Sequence, residues 1–307
     1  MLELKSKFYN DLDPSGQNIR QYYNLPMEFT SFGGWKIKDD VQMLDRTFGK
    51  GGFEFYTSDC HAHQVLLIGG STVWGWGAPG RGATLGGMFY ENNHDVTVLA
   101  RPAYDFFRQY LLYLQYEERI PSYDKVYWFL GTNEFYSLYS QKYGFEHSRD
   151  KRINNTMKNF ERIYYGNIPI YRYMYNKIKI ELYRLVSMNN ASIVNLEDEF
   201  TIPLNYRELF INFLKKIDKK VVFVIEPTLL SKPYISHDEA TILSRLAPNA
   251  PSFYKTITTF LQSSCASNGF KVINCSELKL TRETLYWDYC HWSPQVASSI
   301  YEVLKHD

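Results

Sequence analysis

The chain has 307 residues, a formal net charge of +1 and 45% hydrophobic residues. That length supports one large core or two modest ones. The near-neutral balance gives no whole-protein case for nucleic acid or an acidic surface as partner.

Residues 1–62 are polar, aromatic and turn-rich, with glycine pairs at Gly33-Gly34 and Gly51-Gly52. They show no clear periodicity and read as an N-terminal extension packed on the core formed by 63–307. The opening MLELKSKFYNDLDPSG lacks the apolar core of a signal peptide. No stretch approaches the roughly 18–20 apolar residues of a spanning helix. The four cysteines, Cys60, Cys265, Cys275 and Cys290, form no CxxC pair. They read as free thiols in a reducing compartment, so the expectation is a soluble, cytoplasmic protein. His61 and His63 could share a strand face and a metal, but no third ligand is evident, and structural or solvent-facing roles suit them better.

From Val65 the chain alternates apolar runs with helical segments, the pattern of a parallel α/β sheet. Strands are expected at 65–69, 95–99, 125–130, 221–226 and 270–273. After the second, apolar residues at 107, 110, 111 and 114 give a helical spacing over 106–118. After the last, Pro294 opens a helix carrying Val296, Ile300 and Leu304. About 90 residues separate the third strand from the fourth, far more than a crossover needs. That interval marks a largely helical insertion at about 140–218. Ile170, Met174, Ile178, Leu182 and Leu185 share one helical face there. Residues 149–184 hold nine Lys/Arg against three Asp/Glu, and six tyrosines. A solvated helical face explains this; a lid or docking surface for an anionic partner is the sharper alternative.

The chemistry-bearing residues fall at strand ends. VLLIGGSTVWGWG is a buried strand ending in two glycines and Ser71. Glycine permits the sharp turn, and strand carboxyl ends are where open α/β sheets bind ligands. Ala103 in LARPAYD follows the second strand, and Asn133 in FLGTNE follows the third. Asp288 and His291 in WDYCHWSP precede the final helix. Taken singly, each has a structural explanation: Ser71 or Asn133 as a helix cap, His291 as a buried hydrogen-bonded histidine, Asp288 as a turn residue. Together they are the hydroxyl, imidazole, carboxylate and amide donor that acyl transfer through serine requires.

These blocks, GGS, GTN and DxxH in that order, resemble the SGNH (GDSL-like) hydrolases over roughly 63–139 and 219–304. The resemblance implies a three-layer α/β/α flavodoxin-like sandwich with a central parallel five-stranded sheet. It also implies Ser71 as nucleophile, His291 as base and Asp288 as its orienting carboxylate. The oxyanion hole would be Ser71 N–H, Ala103 N–H and the Asn133 side chain. Ala103 stands where the family's second block carries glycine. Its donor is kept if φ is negative and weakened or shifted if the position needs positive φ. Gly70, in place of the aspartate of GDS, and Glu226, at a strand end like the family's Gln/Glu-Pro, are the substrate-binding candidates. Glu226 equally suits a buried lysine or backbone amide. The implied activity is cleavage of an acyl or acetyl ester, with carbohydrate among the candidate carriers, and needs no cofactor and no metal. The same acyl-enzyme could serve an O-acyltransferase, or the fold could survive as a non-catalytic binding module. A small-molecule or carbohydrate ester is the expected partner.

Overall fold

The computed structural model describes residues 27–30, 34–37, 41–43, 46–48, 53–58, 63–117, 122–143, 200–244, 246–283, 285–286 and 288–307. The chain divides into two units, Met1–Tyr139 with Ile202–Asp307, and Ser140–Thr201. Most of the second unit, with the face from Ile170 to Leu185, lies outside the described residues, as do Cys60 and His61.

Five apolar runs form the parallel strands. They are β6 (His63–Gly69), β7 (His94–Ala100), β8 (Lys125–Leu130), β9 (Val221–Ile225) and β10 (Lys271–Asn274). Their order across the sheet is β10-β9-β8-β6-β7. Taken in chain order as five strands, that is 2-1-3-4-5, a flavodoxin-like winding whose strand order reverses between β6 and β8. The expected strands all lie here, with bounds shifted by one or two residues.

The short strands β3 (Val41–Met43), β4 (Arg46–Phe48) and β5 (Glu54–Tyr56) add antiparallel to β7, giving an eight-stranded sheet. This part of the extension continues the sheet edge. Two further strands, β1 (Met27–Thr30) and β2 (Gly34–Ile37), make a separate antiparallel pair.

Alternate residues of a strand face opposite sides, and both sides of the central strands are apolar. Val65 and Leu67, Val96 and Val98, and Tyr127 and Phe129 share one core cluster with Leu85, Phe89, Val296, Ile300 and Leu304. These last five come from helices α1 (Leu85–Glu91) and α7 (Pro294–Leu304). The opposite face carries Trp128 and Phe223, whose rings lie 5.5 and 6.5 Å from Phe106. Phe106 opens α2 (Phe106–Tyr116) and packs 4.6 Å from Phe210 of α4 (Leu204–Leu214). Helices α3 (Thr132–Tyr143) and α6 (Ala250–Ser267) meet through Phe135 and Phe253, with the short α5 (His237–Leu243) between α4 and α6 in the chain. The result is three layers, helix on sheet on helix.

The expected helix is α2, and its spaced apolar residues divide between its faces. Leu111 and Leu114 are exposed, while Phe106, Gln109, Tyr110 and Leu112 are buried. Gln109 is inside because its amide bridges two elements: it accepts from Trp128 Nε1 at 2.6 Å and donates to Tyr104 O at 2.7 Å. A satisfied polar group can hold a core position that hydropathy assigns to its neighbours.

Among the described residues, no helix is long and apolar enough to cross a membrane.

Candidate active site

The reversal lies between β6 and β8, where open α/β sheets of this winding leave a crevice at the strand carboxyl ends, and the site is built there. β6 ends at Gly69, and the chain turns tightly over 70–78. Trp74 N–H donates to Gly70 O at 3.0 Å and Trp76 N–H to Ser71 O at 2.9 Å. Ser71 therefore starts a single helical turn directly on the strand end, and it is buried. On the other side of the crevice, β8 ends at Leu130 and Gly131 leads into α3, placing Asn133 in its first turn.

The loop before α7 brings in the remaining groups. Ser71 Oγ lies 2.7 Å from His291 Nε2, and His291 Nδ1 lies 2.7 Å from Asp288 Oδ2. Asp288 Oδ1 accepts the backbone N–H groups of Cys290 and His291, each at 2.8 Å. A carboxylate only accepts, so it assigns the Nδ1 proton to His291 and leaves Nε2 as the acceptor for Ser71 Oγ–H. Desolvation works against the charged Asp288. The neighbouring His291 and the two backbone donors outweigh it and hold the carboxyl well below the usual carboxylate range. Trp76 flanks the imidazole, its ring 5.9 Å from that of His291.

The third element is Asn133. Its Nδ2 is buried and has no hydrogen-bond partner among the described residues. A buried donor without an acceptor is costly, about 1–3 kcal/mol, and such a group at a crevice is a place for an incoming oxygen. A Cβ on Gly70 would fall 1.9 Å from that nitrogen. Gly70 thus leaves room for the Asn133 amide beside Ser71.

Ala103 lies in the loop after β7, and its φ is +62°. The position does need positive φ, the strained alternative for a residue with a Cβ. A single left-handed alanine costs about 1 kcal/mol relative to glycine. The surroundings hold it there: Arg101 N–H donates to Gly69 O at 3.2 Å, Gln109 holds Tyr104 O, and Arg108 donates to Ala103 O at 3.1 Å.

Glu226 sits at the end of β9 and is fully enclosed. One carboxylate oxygen accepts the Thr72 hydroxyl and the other the Thr132 N–H, the latter at 3.1 Å. Of its two expected uses, these are the contacts of the backbone-amide partner rather than of a substrate ligand. Glu226 ties the turn after β6 to the turn after β8. Burial raises its pKa, and the Thr72 and Thr132 hydrogen bonds pull it back.

Sequence reasoning missed Glu134. Its oxygens accept Phe106 N–H at 2.7 Å and Gly131 N–H at 2.5 Å, joining the start of α2 to the end of β8. Burial pushes its pKa up to about 8, against the pull of the Gly131 hydrogen bond. The signal available was the acid directly after Asn133, at a helix start where free N–H groups gather. It also missed Lys232 and Glu239, a buried ion pair at 2.5 Å that grips the Glu283 carbonyl and the Leu285 N–H, just upstream of Asp288.

Asp288, Cys290 and His291 also bring a carboxylate oxygen, Sγ and a ring nitrogen within 4.8 Å of one another. Two ligands of one tetrahedral zinc stand about 3.3 Å apart, so binding there would require giving up the 2.7 Å Asp288–His291 bond. Cys265, Cys275 and Cys290 are free and buried, as expected of structural thiols.

No family model matches the sequence, and no curated protein matches it. Among solved structures, the chain is similar to a lipase/acylhydrolase from Enterococcus faecalis at 14% identity, covering 80% of this chain and 96% of that one, with a TM-score of 0.43. It is also similar to a carbohydrate acetylesterase family member from Sinorhizobium meliloti (12% identity, 80% and 98% coverage, TM-score 0.39) and to the acetyl xylan esterase AlAXEase (10%, 78% and 99%, 0.40).

Proposed function

We propose that the protein is a serine esterase of the SGNH type, acting on an acyl ester through Ser71. The observation that carries this reading is the continuous chain from Ser71 Oγ through His291 to Asp288, with both links at 2.7 Å.

In the proposed reaction His291 Nε2 takes the Ser71 proton as Oγ bonds to the ester carbonyl carbon. Asp288 stabilises the resulting imidazolium. The carbonyl oxygen becomes an oxyanion, and Asn133 Nδ2–H and Ser71 N–H are the donors assigned to it, with the Ala103 N–H a weakened or shifted third at its positive φ. Collapse breaks the bond to the alcohol oxygen, which leaves with the proton from Nε2. Water then loses a proton to Nε2 and attacks the acyl-enzyme. Ser71 regains its proton as the acid departs.

An acetyl or longer acyl group, on a carbohydrate or a small alcohol, is the substrate class to screen. Fluorophosphonate labelling read by intact mass tests the reading. One adduct is expected on wild type, absent in Ser71→Ala and slowed about 10⁴-fold or more in His291→Ala. A folded wild type that stays unlabelled would overturn it. Product analysis with sugar acceptors then separates hydrolysis from transfer, since acceptor-dependent acyl esters form only in the second.

A further inference from the structure

The buried pair Arg46–Glu54 lies outside the five parallel strands yet reaches the turn that carries Ser71. Arg46 is fully buried and Glu54 is 2% exposed. The pair is bidentate: Nε to Oε1 at 2.6 Å, and a terminal nitrogen to Oε2 at 2.5 Å. Glu54 Oε1 also accepts the Tyr56 hydroxyl at 2.6 Å. The guanidinium additionally donates to Trp74 O, and to Gly75 O at 3.4 Å, and its carbon lies 5.1 Å from the Trp74 ring centroid.

Those two carbonyls end the helical turn that Ser71 begins. Gly75 O also accepts the Ala78 N–H at 3.1 Å, so the fixed cation adds to the turn's own backbone bonds at this end. Gly75, at φ +77°, has no room for a Cβ, which would meet Thr84 at 2.6 Å. The turn is therefore held by Arg46 and packed too closely on Thr84 to admit a side chain at Gly75. Burying two charges is expensive, and an apolar pair of similar volume is often no less stable. What the ionic pair adds is direction: the planar fork fixes Arg46 on Glu54, and its outward N–H groups fix the turn.

We infer that Arg46, oriented by Glu54, is a positioning residue for the nucleophile, setting the turn over 71–77 so that Ser71 Oγ meets His291 Nε2. The inference rests on the proposed esterase reading. It gives the N-terminal strands a part in the chemistry, since β4 and β5 carry the two residues.

The test uses the full chain and the double variant Arg46→Met/Glu54→Gln. This removes both charges together and keeps an acceptor for Tyr56. Fluorophosphonate labelling is followed to completion. Misplacement of Ser71 predicts full stoichiometry reached 10–100-fold more slowly than wild type. A merely structural pair predicts the wild-type rate with a reduced labelled fraction, and that result overturns the inference, as does unaltered labelling. Glu54→Gln alone keeps the carbonyl contacts and is expected to slow labelling less than the double variant. A second readout needs no activity: the ¹⁵N shift of His291 Nε2 should move in the double variant toward its value in Ser71→Ala. If wild type does not label, the esterase reading fails, and an unchanged shift in the double variant separately overturns the positioning role.

Discussion

Gly70 is fixed as glycine by Asn133, whose side-chain nitrogen stands 1.9 Å from where a Gly70 Cβ would be. Gly70→Ala should therefore expel the Asn133 amide from the site. Removing one oxyanion donor costs about 10²–10³ in rate, so Gly70→Ala and Asn133→Ala should each slow Ser71 labelling or ester turnover by that order. Because both remove the same donor, the double variant should be no slower than the worse single one. Additive losses would mean that Gly70 acts by another route.

Ala103 offers a gain instead of a loss. Its φ of +62° is strained for alanine and unstrained for glycine. Ala103→Gly should stabilise the fold by about 0.5–1 kcal/mol, which for a chain of this size raises Tm by roughly 1–3 °C. Activity should be retained, since the backbone N–H is unchanged. A lowered Tm in calorimetry would show that the methyl packs usefully and that the strain reading is wrong.

Glu134 gives the protein a pH signature. Its folded pKa is raised to about 8, so between its unfolded value near 4.5 and about 8 the native state holds the extra proton. Stability supplied by that group is present at low pH and lost as pH rises through 8. Glu226 is shifted in the same direction. Asp288, shifted downward, acts with the opposite sign, its share lost only in strong acid. In Glu134→Gln the fall in Tm between pH 5 and pH 8 should shrink. Gln also turns an amide N–H2 toward one of the two donors at Phe106 and Gly131, so Tm should be lower than wild type at pH 5. An identical pH slope in both proteins would place the titration elsewhere.

Lys232 and Glu239 hold the segment before Asp288 through the Glu283 carbonyl and the Leu285 N–H. Removing one partner leaves a buried charge alone, at about 3–5 kcal/mol. Lys232→Met should therefore lower stability more than Lys232→Met/Glu239→Leu, measured by urea unfolding. A double variant as unstable as the single would show that the pair serves chiefly to hydrogen-bond the backbone.

The core and the order of the candidate site residues were legible in the sequence for one reason: strands buried on both faces are continuous apolar runs, and their ends mark where the chain turns. Ser71 and Asn133 stand just after such ends, and the Asp288–His291 segment lies in the loop before the last helix, so their order along the chain could be read although the distance that loop spans could not. The strands β3, β4 and β5 were not legible. Each is three residues long, and they join the sheet through β5, which pairs with β7 about forty residues on, rather than by any local pattern. Arg46, Glu54, Lys232 and Glu239 were invisible for a related reason. A charged residue reads as solvated until its partner is known, and none of these pairs has helical i, i+3 or i, i+4 spacing. Ala103 was legible as a position but not as a conformation, because φ is set by the bonds around Tyr104 and Arg108.

Ser71 and His291 are separated by 220 positions, and this long closure has a consequence for biosynthesis. On the proposed esterase reading, a chain emerging from the ribosome exposes its serine turn early, while the imidazole assigned to activate it is still unmade. β10 and the segment after it must be in place before the two ends of the relay meet. Loop closure over such a span is slow relative to local folding, so chemical competence arrives as a late event in the maturation of the molecule. On that reading, partly made chains would carry Ser71 in silent form, and reactivity toward a serine-directed probe would measure completed folding.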